Sequence, residues 1–331
     1  MLLSGGDFHL PDGVTPLRIL FMGTPELAAV NLTALLRESH FQVVAVVTQP
    51  DRPKGRDLKL TPSPVKNVAL QAGLPVLQPE KARSEAFITE LKTFRPDLIA
   101  VAAFGQILPK SILELPPHGC LNVHTSLLPK YRGAAPIQWA IANGDAETGI
   151  TIMKMDVGMD TGDILTQRTT PITAADNGQT LHDRLAQLGA ELLVQTIPAY
   201  VAGEITPRKQ DSALATHAAK IKKSDGQIDW RLPATTIWNR LRAFTPWPGA
   251  FTFLPASPQP LLLKISEAQV SEAKGEPGNI LAADKSGIVV GCGEGSLRIL
   301  VLQREGGKRL PAREFLAGHP LVPGSRMGEQ A

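Results

Sequence analysis

The sequence predicts an α/β protein in which a parallel-sheet domain is followed by a smaller β-barrel of the OB type. Three observations carry this expectation. In the first part of the chain, apolar β-branched runs alternate with helical patterns, as in βαβ units whose strands lie parallel. From about Ser224 onward, short strands follow one another at close spacing, punctuated by Gly and Pro, as in a small barrel. Between the two, residues 203–222 lose their apolar period and become polar and Lys-rich, which suits a linker. At 331 residues, two domains are the default. The expected organisation is an N-terminal extension at 1–16, a first domain at 17–206, a linker at 207–223 and a second domain at 224–331.

Leu17–Met22 reads as a buried first strand, ended by Gly23-Thr24-Pro25. Glu26–Leu36 follows as a helix, with Thr24 as N-cap and Pro25 at the first helical position. Phe41–Val47 is a second β-branched strand. The turn after the first strand holds one glycine where a dinucleotide fingerprint needs three, which argues against a nicotinamide enzyme. Thr48–Pro64 is a loop broken by Pro50, Pro53, Gly55, Pro62 and Pro64, and it carries Arg52, Lys54, Arg56 and Lys59. Insertions of this length are functional or disordered, with a plain solvated loop as the bland reading. Pro64–Ala72 and Ser84–Lys92 read as helices around a short strand at Leu74–Leu77. Asp97–Ala103 is apolar enough for the centre of a sheet covered on both faces. Phe104–Leu108 then leaves at the carboxyl edge, where open α/β sheets place ligands.

Cys120–Trp139 opens as a strand, breaks at Pro129 and Gly133, and resumes as a helix from Pro136. Asn122 and His124 sit two apart in the strand, so they share one face while Leu121 and Val123 share the other. Thr148–Met155 is the next strand. Asp156–Asp163 is a loop with three acids and two glycines, followed by a strand at Ile164–Gln167 and a helix at Asn177–Ala202.

A composition of 43% hydrophobic and 20% charged residues permits a sizeable core. Two cysteines are too few for a disulfide framework, and no Cys/His cluster suggests zinc, so no metal is expected and a reducing, cytoplasmic setting fits. No apolar run reaches the length of a membrane span, and residues 1–16 lack the basic and apolar regions of a secretory signal. From Pro207 to Ala331 there are 17 Lys/Arg against 11 Asp/Glu, while the rest has 17 against 20. A catalytic part joined to a part that holds a polyanion would carry such an asymmetry, although a +6 balance also arises by chance.

Strands of a parallel sheet deliver their following loops to one edge, so Asp156, Asp160 or Asp163 can reach the tip of the Asn122–His124 strand. Acyl transfer to an amine needs a donor for the oxyanion, a nearby acid or cation, and a base for the ammonium proton. Asn122 can donate, His124 can donate in its charged form, and one of the three acids can pair with His124. The competing reading is a satisfied hydrogen-bonded pair beside an ordinary Asp-Gly turn.

Asn122-Val-His124-Thr-Ser-Leu-Leu-Pro129-Lys-Tyr-Arg-Gly-Ala-Ala-Pro-Ile-Gln138 resembles the signature of the folate-dependent formyltransferases, and Asp156–Asp163 resembles the loop that supplies their aspartate. The resemblance spans residues 17 to about 325. It is closest to the members that act on methionyl-tRNA, through Phe21–Pro25, Gln49–Arg56 and Ala243–Pro248. It implies a Rossmann-like catalytic domain with Asn122, His124 and Asp160 as the catalytic residues. It also implies 10-formyltetrahydrofolate as co-substrate, contacted by Ser126, Leu127, Leu128 and Pro129. The acceptor implied is the α-amino group of methionine on initiator tRNA, whose acceptor arm would meet Arg52, Lys54, Arg56 and Lys59. A monomer is implied as well. One departure is Thr125, which stands where a glycine is common. The rivals are a formyltransferase acting on an amino-sugar nucleotide or a glycinamide ribonucleotide, and a non-catalytic RNA-binding protein.

Overall fold

The computed structural model describes residues 15–54, 59–255 and 259–328. Residues 1–14, within the expected N-terminal extension, and Arg56 lie outside them, as do the side chains of Lys54 and Lys59. In chain order the first elements are β1 (Leu17–Gly23), α1 (Glu26–Arg37), β2 (Phe41–Val47), β3 (Arg52–Lys54) and β4 (Lys59–Thr61). Next come α2 (Pro64–Gln71), β5 (Val76–Leu77), α3 (Glu85–Thr93), β6 (Leu98–Ala102), α4 (Lys110–Leu113) and β7 (Cys120–His124). Then follow β8 (Arg132–Gly133), α5 (Pro136–Ala142), β9 (Glu147–Lys154), β10 (Ile164–Pro171), α6 (Gly178–Val201) and β11 (His217–Ala218). The remainder is α7 (Ala234–Ala243), β12 (Ala250–Leu254), β13 (Leu261–Ser271), β14 (Ile280–Asp284), β15 (Gly287–Gly291), β16 (Ser296–Arg304), β17 (Arg309–Pro311) and α8 (Ala312–Gly318).

The chain forms two compact units. The first takes residues up to Gly133, 148–170 and 182–217, and the second takes 134–147, 171–181 and 218 onward. The first unit is built on a seven-stranded sheet in the order β10-β9-β7-β6-β1-β2-β5. Strands β5, β2, β1, β6 and β7 run parallel. All five residues of β6 are buried, as its apolar run requires of a central strand covered on both faces. Leu20, Met22, Val47, Ile99, Val101 and Cys120 meet Phe87 and Leu91 of α3 in one cluster.

Two expectations are corrected here. Strand β9 pairs with β7 antiparallel, not parallel. The helix between them is not a crossover over this sheet, because α5 belongs to the second unit, where Trp139 packs edge-on against Phe244 at 6.2 Å. The N-cap of α1 is Pro25, without a side-chain bond. Thr24 instead donates its hydroxyl to the Phe104 carbonyl at 3.2 Å and accepts from Gln49 N–H at 3.3 Å, tying the first turn to the loop after β6.

The second unit is an antiparallel sheet in the order β12-β13-β16-β15-β14, with β17 added to β16. The segment Ser325–Gly328 closes it. Ile280 N–H donates to Ser325 O at one edge, and Phe253 and Gly328 exchange both backbone bonds at the other. Trp230, Leu263, Ile299, Leu302 and Met327 lie in the enclosed core. The segment thus bridges the β12 and β14 edges, and covering edges in this way is how barrels limit unpaired backbone. Among the described residues no helix is long and apolar enough to cross a membrane.

Candidate active site

Strand β7 ends in Asn122, Val123 and His124. Val123 faces Gly189 of α6, so closely that a Cβ there would come within 2.9 Å of Val123 Cγ1. Strand alternation puts Asn122 and His124 on the other face. Asn122 is half-buried, and the described residues give its carboxamide no hydrogen-bond partner. His124 is 5% exposed. Its Nε2 lies 2.9 Å from the Tyr131 carbonyl, and since a carbonyl only accepts, Nε2 carries a proton and donates. The nitrogen left for chemistry is Nδ1, which faces Asp160 Oδ1 at 3.7 Å. That exceeds a hydrogen bond, and the pair becomes ionic when the imidazole is doubly protonated.

Asp160 is held from several sides. Its Oδ2 accepts from Gly133 N–H at 2.8 Å. Its backbone is left-handed, φ 53°, a conformation that costs a non-glycine residue about 1–3 kcal/mol and persists only where the surroundings enforce it. Gln210 Nε2 donates to the Asp160 carbonyl at 2.8 Å and to the Gly162 carbonyl at 2.7 Å. A Cβ on Gly162 would collide with the Lys154 carbonyl, so this close approach requires glycine. The other two acids of the loop are engaged elsewhere. Asp156 accepts from Gly158 N–H and the Thr161 hydroxyl, and Asp163 lies 3.6 Å from Lys209 Nζ.

The route by which Asp160 reaches His124 differs from the expected one. In the antiparallel β7–β9 pair, His124 faces Thr151 and Leu121 faces Lys154. The Asp160 loop therefore starts beside the beginning of β7, where Met155 N–H donates to Cys120 O at 2.8 Å. It must fold back along the sheet face to bring its carboxylate to the strand's end.

The turn after His124 is fixed from within. Ser126 is fully buried and donates its hydroxyl to Lys130 O at 2.6 Å. Thr151, also fully buried, donates to Ser126 O at 2.7 Å and accepts from Leu128 N–H at 3.0 Å. Gln167 Nε2 donates to both Leu128 O and Thr151 Oγ1. Leu128 packs with Met153 and Ile164, while Leu127 and Pro129 are half-buried. Thr125 is not among the residues of positive φ, so this turn does not need the glycine.

Among its described residues the basic loop holds two short strands, β3 pairing antiparallel with β4. Arg52 meets Glu80 at 3.1 Å, both exposed. Its base is tied down by Lys66, whose Nζ donates to Asp51 Oδ2 at 2.6 Å and Gln78 Oε1 at 2.8 Å, and by Thr48 and Ser63, whose hydroxyls lie 2.7 Å apart. The Lys66 ammonium, and after it the Gln78 amide, hold the Asp51 carboxyl below its ordinary 3.8.

Residues 17–197 match the family model for formyl transferase, and 220–320 match that for the formyl transferase C-terminal domain. The methionyl-tRNA formyltransferase of Citrifermentans bemidjiense is 54% identical over 96% of this chain and 98% of its own length. That of Geobacter metallireducens is 53% identical over 94% of this chain and 99% of its own. The chain belongs to the methionyl-tRNA formyltransferase family. Among solved structures, the sugar 3N-formyl transferase WlaRD, crystallised with dTDP and 5-N-formyl-THF, superposes with a TM-score of 0.64 at 19% identity, covering 90% of this chain and 99% of that one. That likeness is one of fold.

Within this formyltransferase chain, sequence reasoning missed Gln210, Arg132, Thr151 and Gln167. Gln210 sits in the stretch read as a linker, and Arg132 in the signature segment, where the sequence assigns it no role of its own. Thr151 and Gln167 lie on strands to whose residues the sequence assigns no role. Among the described residues no cluster of His, Cys, Asp and Glu is arranged to hold a metal ion.

Proposed function

We propose that this chain transfers a formyl group from 10-formyltetrahydrofolate to the α-amino group of methionyl initiator tRNA. The observation that carries this reading is the convergence of an Asn122 carboxamide without a partner among the described residues, a buried His124 and the strained Asp160 at the end of one strand. The neutral amine attacks the formyl carbon, a C–N bond forms, and the carbonyl oxygen takes up negative charge. Asn122 donates to that oxyanion. Collapse breaks the bond from carbon to folate N10, and the proton lost by the amine ends on N10. Asp160 and His124 Nδ1 carry that proton. No nucleophilic Ser or Cys and no metal is needed, because the formyl donor is already activated.

In this reading, residues 17–206 form the catalytic domain, 207–223 a linker and 224–331 a tRNA-holding domain, in a monomeric cytoplasmic enzyme. The turn at Ser126, Leu127, Leu128 and Pro129 receives the folate, presenting Leu127, Pro129 and backbone while Ser126 and Leu128 hold it from inside. Arg52, Lys54, Arg56 and Lys59 meet the acceptor arm, and the basic surplus beyond Pro207 holds phosphates without reading sequence. The deciding experiment is transfer of labelled formyl from 10-formyltetrahydrofolate to charged initiator tRNA, elongator tRNA and an amino-sugar nucleotide. Incorporation into the initiator is expected. Labelling of the sugar nucleotide alone would overturn the reading.

A further inference from the structure

We infer that Gln210, gripped by Arg132, is the positioning residue for Asp160, an inference that rests on the formyl-transfer reading of this site. A carboxamide has two N–H donors and two acceptor positions, and Gln210 uses all four. Its Nε2 donates to Asp160 O at 2.8 Å and Gly162 O at 2.7 Å. Its Oε1 accepts from Arg132 Nε at 3.1 Å and Nη2 at 2.9 Å. The amide has one possible orientation. Turned over, it would set its N–H groups against guanidinium donors and its oxygen against two carbonyls.

The contacts form a closed circuit. Arg132 holds Gln210, Gln210 holds the backbone of Asp160, and the Asp160 carboxylate accepts from Gly133 N–H, the next residue after Arg132. Gln210 is itself anchored, since Arg208 and Ile164 exchange backbone hydrogen bonds of 2.8 Å just beyond the loop. Asp160 in a left-handed conformation needs such enforcement. The bonds that supply it come from Gln210 on the main chain and from Gly133 on the side chain. With Gln210 removed, the loop relaxes and the carboxylate leaves His124 Nδ1, while the surfaces that bind folate and tRNA stay as they are.

The test uses the full chain with Gln210→Ala and Gln210→Glu, each alone and in an Asp160→Asn background, together with amide exchange at Gly133. Gln210→Ala is expected to lower kcat about 10- to 100-fold, the scale of a misplacement near 1 Å. The KM for each substrate stays within about twofold, because the binding surfaces are untouched. Gln210→Glu is expected to lose as much, since a carboxylate keeps Arg132 but has no N–H to give the loop. This variant also carries the test if Gln210→Ala does not fold. In the Asp160→Asn background neither change costs more, as expected of residues acting through one group. A parental kcat in Gln210→Glu, or a full further loss on top of Asp160→Asn, would overturn the inference. The exchange measurement is independent of substrate: Gly133 N–H should exchange faster in Gln210→Ala at unchanged Tm. Unchanged exchange would sink the clamp even if formyl transfer holds. Faster exchange would uphold it even if the acceptor proved to be something other than tRNA.

Discussion

In the parallel-sheet unit the Asn122 carboxamide has no partner among the described residues and Asp160 is held in a conformation that favours glycine. In the closed antiparallel unit, by contrast, Trp230 Nε1 donates to Thr252 Oγ1 at 3.0 Å and Trp238 Nε1 to Ala268 O at 3.1 Å. The Asn122 carboxamide is polar capacity held in reserve, whereas these two indole donors are spent inside their own unit. A half-buried carboxamide without a protein partner among the described residues is open to a ligand. Activity and stability should therefore respond to substitution in different units.

The largest effect separates them most sharply. Asp160→Asn or His124→Ala should lower formyl transfer by roughly 1000-fold or more, combining loss of the proton carrier with loss of charge near the reacting centre. For Asp160→Asn, Tm should stay near the parent value and tRNA binding should persist, whereas His124→Ala also opens a cavity and lowers Tm. Turnover at the parent rate would remove that residue from the mechanism. Met327→Ala tests the other unit. Met327 is 1% exposed and sits in the segment that closes the sheet, so its truncation should cost about 2–5 kcal/mol. Chemical denaturation would show this as a lower midpoint, with kcat unchanged at low temperature; a large fall in kcat without loss of stability would erase the contrast.

A smaller effect concerns the base of the basic loop. Asp51 has a depressed pKa, so its contribution to stability is complete above the ordinary value of 3.8 and fades as pH falls through the folded value. Asp51→Asn should lower the denaturation midpoint at pH 7, and the gap from the parent should close on acidification below about pH 4. A gap independent of pH would assign the effect to packing instead. The smallest expected effect is a silence common to both units. Burial pushes the Cys120 thiol up to about 12 and Cys292 to about 11, so neither carries appreciable thiolate at pH 8. A thiol reagent should titrate none in the native protein and both after unfolding. Rapid native reaction at either cysteine would show that its unit opens.

Much of this was legible from local pattern. Strand alternation alone placed Asn122 and His124 on one face, and the apolar run of β6 announced a central strand. The close spacing of β12 to β16 announced the small closed sheet. Reasoning failed where the answer depended on partners remote in sequence. The pairing direction of β9 could not be read from its own residues, because α5 looks like a crossover helix and yet belongs to the other unit. Asp160 could not be singled out among three acids by geometry until Asp156 and Asp163 were seen to be engaged elsewhere. Gln210 was invisible for the same reason. Its importance lies in four bonds to residues 48 to 78 positions away, and nothing in a polar stretch announces them.

The returning path of the Asp160 loop acts as a ruler. Its start is pinned at Met155 and its far end at the Lys154 N–H to Asp163 O bond of 2.9 Å. One residue added or lost before Asp160 would move the carboxylate by as much as about 3.5 Å, nearly its whole separation of 3.7 Å from His124. Val157 and Met159 point into solvent, 72% and 58% exposed, so their identity can drift. The loop can vary in wording while its count of residues stays fixed.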